Sequence, residues 1–558
     1  ELEDISSTKI RENIDNHRDI SSLIDPVVQE YIYHKGMYLR EPEFKPILRA
    51  KAIAFENASG RDHAVLDELG NTVLYGHPDA QAIFTRIQVE NDSLLILRNT
   101  VEGERPVGFA SYREIGNDEL YGVLKDMELA NLVRGKSSRE ILLITGIYAR
   151  EENTGDSEMI RDAAQQLLVE VVAKELEKNY SFALFVAERG TAAKHVVYAL
   201  ERQGFVRPHL ADENDKRTIY LVDMHEPLMF LHNLETTIKE PFASNPAVLR
   251  AIEKNHKKLQ IAMTKLYPGN LVLSLSSGVM HHRLVDRITS LNDVPREPLV
   301  PRRLGKNMCV PFGKILRGKV VPNTVTKTLH TDKVYEPDLE SYTIEPFPYY
   351  SPLNSQIETI RSFDRPVILV DDLVHKADRL RVLVPKLRET GIPIKKVVVG
   401  VLSGYGRDLM QQLKVPVESI YSMPNVRQWF VESTLYPFIG GDTVRREEMK
   451  VAGLQPSINM ILPYATPKLS GCSREALVEF SACCIENSRD LLQVLEAEYR
   501  KQYAKNLTLS RLSEAVILPL CPDKGSCMEY DENLAASVYL ENDLEMLQRM
   551  RKFMVTIQ

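Results

Sequence analysis

The sequence has few cysteines, a single tryptophan, no long apolar run and no strong excess of charge. Only six of its 558 residues are cysteines. None of them has the Cys-x-x-Cys spacing of a zinc knuckle, and thiols this sparse are typical of proteins from a reducing compartment. We therefore expect free or buried thiols and a cytoplasmic location.

Two further absences exclude whole classes of protein. No stretch approaches the roughly 18 uninterrupted apolar residues that a membrane span needs, so we expect no membrane partner. The formal net charge is −7, whereas a nucleic-acid-binding surface usually leaves a basic excess. We therefore expect no nucleic-acid partner either, and nothing predicts a signal peptide.

What is present is the composition of an ordinary globular protein, with 44% hydrophobic and 26% charged residues. A chain of this length exceeds a single core, so about two to four domains are expected. Apolar runs predict strands in the first half at residues 93–98, 105–112, 140–148, 182–187 and 217–223. Helical periodicity is found at residues 159–176 and 191–203.

This order of elements resembles the GNAT acyltransferase fold. The best local match is the run 192–205, a helix that carries Tyr198 near its middle and ends at Gly204 and Phe205. The resemblance implies that this helix flanks an acyl-CoA, with acetyl-CoA as the expected cofactor. It also implies that Tyr198 protonates the leaving thiolate. The alternative role of Tyr198 is a packed core aromatic.

The pyrophosphate loop departs from the GNAT pattern. Family loops read Arg/Gln-x-x-Gly-x-Gly/Ala at a helix N-terminus, where backbone N–H groups hold the pyrophosphate. Residues 150–157 contain one glycine, Gly155, and three carboxylates that would repel a pyrophosphate. Gly155 is the phosphate-compatible residue of this loop. An active acyltransferase and a degenerate, structural domain both remain open.

The strongest candidate for a functional site lies further along the chain. Four apolar residues, 367–370, precede Asp371 and Asp372. Such a run predicts a buried parallel strand that ends in a functional loop, and ligands bind beyond the carboxyl ends of these strands. Adjacent carboxylates can accept hydrogen bonds from a vicinal diol and help to hold Mg²⁺.

Two other segments suit a phosphorylated ligand. Residues 271–275 predict a strand that ends in Ser276, Ser277 and Gly278, and small residues before a helix permit close approach of an anion. Cations concentrate between residues 306 and 333. A solvated basic face is the alternative interpretation of that concentration.

Together these segments resemble a type I phosphoribosyltransferase. The resemblance implies that the loop 276–278 receives the pyrophosphate of phosphoribosyl pyrophosphate. It implies that Asp371 and Asp372 face the ribose hydroxyls and bind Mg²⁺. It also implies that Lys327 or Lys333 closes over the leaving group.

The loop after the acidic pair departs from that family too. Its usual sequence is close to Thr-Thr-Gly-Gly-Thr, whereas residues 375–379 have neither hydroxyl groups nor glycine. His375, Lys376 and Arg379 bring cationic groups that would attract a 5′-phosphate. Either the site is rebuilt for another phosphorylated ligand or catalysis has been lost.

These observations predict a multidomain α/β protein that combines a mixed GNAT-like sheet with a parallel-sheet, phosphoribosyltransferase-like domain. The predicted segments are an N-terminal helical segment (1–50), the GNAT-like domain (51–225), a helical connector (226–266), the phosphoribosyltransferase-like domain (267–446) and a helical C-terminal region (447–558). The C-terminal helices offer a surface for a homodimer.

Three functions remain open at this point. The first is a transferase that binds phosphoribosyl pyrophosphate, or a related nucleotide, with Mg²⁺. The second is a non-catalytic protein that senses a nucleotide. The third is an acyl-CoA-dependent N-acetyltransferase. We take the first as the leading expectation because the strand and acidic pair around Asp371 match their family signature well.

Overall fold

The described part of the chain forms an α/β structure with three sheets. The computed structural model describes residues 53–99, 103–137, 139–150, 162–187, 193–209, 217–299, 303–316, 319–347, 350–446, 451, 453–523 and 529–556, with a few isolated residues before residue 32. Most of the predicted N-terminal segment, and Gly155 of the predicted pyrophosphate loop, lie outside the described residues.

The first part of the chain alternates strands and helices. Its strands are β1 (Ile53–Ser59), β2 (Ser93–Asn99), β3 (Arg105–Ile115), β4 (Ile141–Ala149), β5 (Phe182–Ala187) and β6 (Thr218–His232). Its helices are α1 (His63–Asn71), α2 (Ala80–Glu90), α3 (Leu120–Leu124), α4 (Met127–Lys136), α5 (Ala163–Glu175) and α6 (Lys194–Arg202).

The remainder continues in the same manner and ends in helices. The strands are β7 (Asn270–Ser276), β8 (Met308–Pro311), β9 (Val325–Thr326), β10 (Thr331–Tyr335), β11 (Tyr342–Pro346), β12 (Val367–Val374), β13 (Ile394–Ser403), β14 (Val417–Met423), β15 (Gln428–Val431), β16 (Asp442–Val444), β17 (Gln455–Ile458) and β18 (Leu520–Pro522). The helices are α7 (Pro246–Thr264), α8 (Ser277–Leu291), α9 (Leu353–Arg361), α10 (Asp378–Glu389), α11 (Gly404–Gln412), α12 (Glu432–Leu435), α13 (Arg474–Tyr503) and α14 (Ala536–Thr556).

The first sheet has eight strands in the order β1-β2-β3-β4-β5-β6-β15, with β7 on the other edge of β6. Strands β1 to β4 are antiparallel neighbours, as are β5 and β6. Strands β4 and β5 run parallel, and β6 runs parallel to both β7 and β15. The 15 residues of β6 exceed the length of β5, so its far half can pair with other strands.

The second sheet is parallel throughout, with the order β14-β13-β12-β8-β9. Its central strands β12 and β13 are apolar over most of their length and buried on both faces, as parallel strands usually are. The third sheet has the order β11-β10-β16-β17-β18. The mixed first sheet and the parallel second sheet confirm the predicted multidomain α/β class.

One apolar core joins the first and second sheets. Its members extend from Leu95 on β2, through Leu167 on α5 and Leu284 on α8, to Val398 on β13. A second core packs α7 against the C-terminal helices α13 and α14. The first core therefore crosses the segment boundaries that we drew at residues 225 and 267.

Two sequence-based expectations were wrong. The strand 271–275 does not join the parallel sheet but pairs with β6 in the first sheet. The start of the predicted helical connector, up to His232, is the second half of β6. In the first case a short apolar run predicts a strand without specifying its partner. In the second, the apolar run 228–231 was assigned to a helical segment, whereas it pairs with β7 and β15. Of the helices that the structure describes, none has the length and apolar character needed to cross a bilayer.

Candidate functional site

The parallel sheet has a topological switch point between β8 and β12. The chain leaves β8 toward β9 on one side, and it leaves β12 toward β13 on the other. Connections that diverge in this way open a crevice at the carboxyl ends of the two strands, where open α/β sheets bind their ligands. Asp371 and Asp372 lie in the second half of β12, directly after its last pairing with β8 at Val370, and Gly313 follows β8.

The backbone at Gly313 lies directly against the acidic pair. A Cβ atom at this position would be 2.6 Å from Asp372 Oδ1 and 2.7 Å from Asp371 Oδ1. Only glycine permits so close an approach without displacement of the carboxylates. We refer to Gly313, Lys314, Asp371, Asp372 and Arg379 as the switch-point cleft.

The carboxylates of Asp371 and Asp372 make different contacts. The carboxylate of Asp372 accepts hydrogen bonds from the backbone N–H groups of Lys314 (2.7 Å) and Ile315 (2.9 Å). These two hydrogen bonds hold the loop after β8 against β12. Asp371 Oδ1 accepts the N–H of Asp372 at 2.9 Å and lies 3.6 Å from Arg379 Nη1. Asp371 therefore forms the ion pair of the cleft with Arg379.

Further charged groups come from the third sheet. Lys333 on β10 lies 3.6 Å from the ring centre of Tyr342 on β11, and burial lowers its pKa. Asp442 begins β16, and burial raises its pKa although Lys314 opposes the shift. Strand β11 contacts α10, the helix that begins at Asp378. The third sheet therefore borders the cleft.

Residues 375–377 connect β12 to α10, and residues 378 and 379 of the predicted loop are the first two of that helix. Ala377 has a left-handed backbone conformation with φ of 51°. His375 Nδ1 lies 2.8 Å from Ser403 Oγ at the end of β13, and burial and the charge of Lys376 lower the pKa of His375. The side chain of Lys376 is exposed. Arg379 Nη1 donates a hydrogen bond to the Phe312 carbonyl at 3.2 Å.

The structure brings only some of the predicted residues together. Lys333 faces the cleft, but the side chain of Lys327 is only 2% exposed and its backbone N–H donates to the Cys309 carbonyl. A side chain buried so completely cannot close over a leaving group, so that role was wrongly assigned to Lys327.

The predicted pyrophosphate loop lies elsewhere. Ser276 pairs with His232 of β6, and Ser277 and Gly278 begin α8. These residues line a cavity of about 380 Å³ between α5, α7 and α8. The loop that contacts Asp372 is instead the one at Gly313. The short apolar run 308–312 followed by Gly-Lys is the sequence signal that could have identified it.

The first sheet also contains an opening between two of its strands. Strands β4 and β5 pair only over residues 142–144 and 183–185, although β4 continues to Ala149 and β5 to Ala187. Parallel strands that stop pairing part-way separate toward their carboxyl ends. Tyr198 on α6 is 60% exposed, so core packing is not its role.

The fold and these two openings define a multidomain α/β protein with a mixed first sheet and a parallel second sheet that carries the switch-point cleft. No family model and no curated protein matches the chain. Solved structures of GNAT acetyltransferases match its N-terminal part.

Three examples illustrate these matches. The NatC complex bound to Gag peptide and CoA has 11% identity and a TM-score of 0.20, over 31% of this chain and 99% of that chain. The catalytic domain of Tetrahymena GCN5 histone acetyltransferase in complex with coenzyme A has 11% identity and a TM-score of 0.21, over 32% and 96%. The Drosophila melanogaster polyamine N-acetyltransferase has 9% identity and a TM-score of 0.22, over 31% and 99%.

Proposed function

We propose that the switch-point cleft binds phosphoribosyl pyrophosphate, or a closely related phosphorylated ribose, and displaces its pyrophosphate. The contact of the Gly313 backbone with the acidic pair is the observation that carries this proposal. It places a glycine-containing loop, a carboxylate and several cations at the point of the sheet where ligands bind.

Each part of the ligand has a chemical partner in the cleft. The pyrophosphate lies along the backbone after β8, where Lys314 and Lys333 compensate its charge. Asp371 accepts hydrogen bonds from the ribose hydroxyls. Lys376 and Arg379 attract the 5′-phosphate, which approaches the N-terminal end of α10. Cations fixed around the leaving group stabilise the charge that develops as the glycosidic bond breaks.

A carboxylate of the cleft and the pyrophosphate of the ligand could together bind Mg²⁺. Proteins commonly hold Mg²⁺ through one or two carboxylates and the phosphates of the substrate. Both oxygens of Asp372 already accept backbone N–H groups, so Asp371 is the carboxylate that would share the ion with the pyrophosphate. When bound, Mg²⁺ supplies charge neutralisation of the leaving group.

The proposal is tested by calorimetric titration with phosphoribosyl pyrophosphate and Mg²⁺, and by ³¹P NMR of pyrophosphate release. We expect Asp371→Asn to weaken binding at least about tenfold, because a charged acceptor is lost from a buried site. Asp364→Asn is the matched control, since Asp364 is exposed just before β12 and its φ of 50° suits asparagine.

The outcomes separate the remaining functions. Binding with release of pyrophosphate supports the transferase. Binding without release over hours supports a non-catalytic sensor that uses the same cleft. If the unmodified chain fails to bind at all, the proposal for this site is wrong.

The separated strands favour a second candidate function. We propose that an acyl-CoA lies between the carboxyl ends of β4 and β5, and that Tyr198 protonates its leaving thiolate. We expect Tyr198→Phe to reduce acetyl transfer to a small amine by about 10²-fold or more while acetyl-CoA binding is kept. Tyr121→Phe on α3, where the side chain is 51% exposed, is the control. Equal loss of transfer in both variants would contradict this role.

A further inference from the structure

A second cluster of functional groups lies outside both openings. His232 ends β6, His256 lies on α7, and Glu432 begins α12 directly after β15. Strands β6 and β15 run parallel with Leu231 opposite Val431. The next residues along the chain are His232, the last residue of β6, and Glu432, the first residue of α12, which brings an imidazole and a carboxylate side by side.

The ligand-type atoms of this cluster converge. One nitrogen of each histidine and one oxygen of Glu432 all lie within 4.8 Å of one another. Glu432 Oε2 is 2.7 Å from His256 Nε2 and 3.5 Å from His232 Nδ1. The side chain of Glu432 is fully buried, and that of His232 is 11% exposed.

A buried ion pair explains one of the two contacts that Glu432 makes with the histidines. It accounts for the contact between His256 and Glu432. It does not account for His232 Nδ1, which makes no hydrogen bond in the described part of the chain yet points at the same carboxylate oxygen. Bonds of about 2.0–2.1 Å to a tetrahedral ion separate ligand atoms by about 3.3 Å, close to the spacing of His232 and Glu432.

The groups around the cluster also suit a metal ligand. Metal-bound histidines usually donate their second ring N–H to an oxygen. His232 Nε2 lies 2.8 Å from Ser274 Oγ and 3.0 Å from the amide of Gln260. Gln260 Oε1 has no hydrogen-bond partner among the described residues, and a half-turn of the amide directs this oxygen to His232 Nε2–H. His232 Nδ1 then keeps its lone pair for a metal.

We infer that His232, His256 and Glu432 bind a divalent transition-metal ion, with Zn²⁺ as the best match to two imidazoles and one carboxylate. The histidines line the 380 Å³ cavity together with Ser274 and Glu235. The fourth coordination position faces that cavity, where Glu235 Oε1 lies 4.0 Å from His256 Nε2. Three protein ligands and one open position are typical of catalytic zinc sites. The ion opens the contact between His256 and Glu432 by about 0.6 Å to reach this spacing.

The test uses the full chain without a polyhistidine tag. The protein is treated with a chelator and titrated with Zn²⁺, and the bound metal is measured by mass spectrometry. We expect one equivalent of Zn²⁺ per chain. His256→Ala should weaken its binding at least about tenfold. The control is His281→Ala, because His281 lines the same cavity outside the cluster and its loss should leave zinc affinity unchanged.

Cobalt replacement provides a measurement that needs no variant. Co²⁺ in a four-coordinate site gives intense visible absorption bands, and nitrogen and oxygen ligands give no sulfur-to-cobalt charge-transfer band. We expect the bands without the charge-transfer feature in the unmodified chain. Absence of the bands, a charge-transfer band from cysteine, or equal zinc binding by the unmodified chain and His256→Ala would each overturn the inference.

Discussion

Gly313 has no Cβ atom, and for this reason its backbone can lie against the two carboxylates of the switch-point cleft. A methyl group at this position would lie 2.6 Å from Asp372 Oδ1 and 2.8 Å from the Asp372 backbone nitrogen. One of these neighbours is backbone within a central strand, so the loop rather than the strand must move. The hydrogen bonds that Asp372 accepts from Lys314 and Ile315 would be strained as a result.

We therefore predict that Gly313→Ala destabilises the fold by about 1–3 kcal/mol, the usual cost of added volume in a packed site. Denaturant unfolding measures this change, and titration with phosphoribosyl pyrophosphate should show weaker binding in parallel. Gly122→Ala is the control, because nothing lies within 4 Å of the added atom and alanine favours the helix α3. Similar stability of both alanine variants would show that the loop adapts without strain.

The sequence predicts many elements but not their neighbours. The predicted strands 93–98, 140–148 and 182–187 match β2, β4 and β5. Periodicity and apolar runs are local signals, so they identify such elements directly. Pairing depends on the whole chain, and for this reason the strand 271–275 was assigned to the wrong sheet.

The same distinction applies to the candidate sites. Asp371 and Asp372 could be predicted because an apolar run in the sequence ends at two carboxylates, although β12 itself continues to Val374. Their contact with the Gly313 loop joins residues 57 and 58 positions apart and leaves no local pattern. His232 and Glu432 lie still further apart in sequence, and the register between β6 and β15 alone makes them neighbours.

The residue before α13 allows the contribution of a helix cap to the free energy of unfolding to be measured. Ser473 precedes this helix of 30 residues, and its side chain accepts the backbone N–H of Ala476 at 3.1 Å. We predict that Ser473→Ala lowers the free energy of unfolding by about 1 kcal/mol. Ser473→Asp keeps an acceptor and should retain most of the stability in the same denaturant experiment. An equal loss in both variants would indicate that the hydroxyl group has another role.

The first and second sheets are joined by a buried polar contact as well as by their shared core. Glu170 on α5 accepts a hydrogen bond from Tyr421 on β14 at 2.8 Å and lies 2.6 Å from Arg283 on α8. The guanidinium of Arg283 also lies over the rings of Phe55 and Tyr421, at 5.3 Å from each. This contact therefore connects the elements of the first sheet with the parallel second sheet.

Removal of Glu170 should weaken that connection strongly. Loss of one partner from a buried ion pair costs about 3–5 kcal/mol, because the other charge is left without compensation. We predict a loss of this size for Glu170→Ala. Glu545→Ala is the control, since Glu545 and its partner Arg549 are 65% and 74% exposed and such pairs contribute at most about 1 kcal/mol.

Two spectroscopic signals show whether the sheets unfold together. Trp429 is the single tryptophan of the chain, and it lies on β15 of the first sheet, whereas far-ultraviolet circular dichroism reports on the whole fold. Because the sheets share a core, we expect both signals to change at the same denaturant concentration in the unmodified chain. In Glu170→Ala the two transitions should separate, and the Glu545→Ala transitions should still coincide. Coincident transitions in Glu170→Ala would mean that the apolar core alone couples the two sheets.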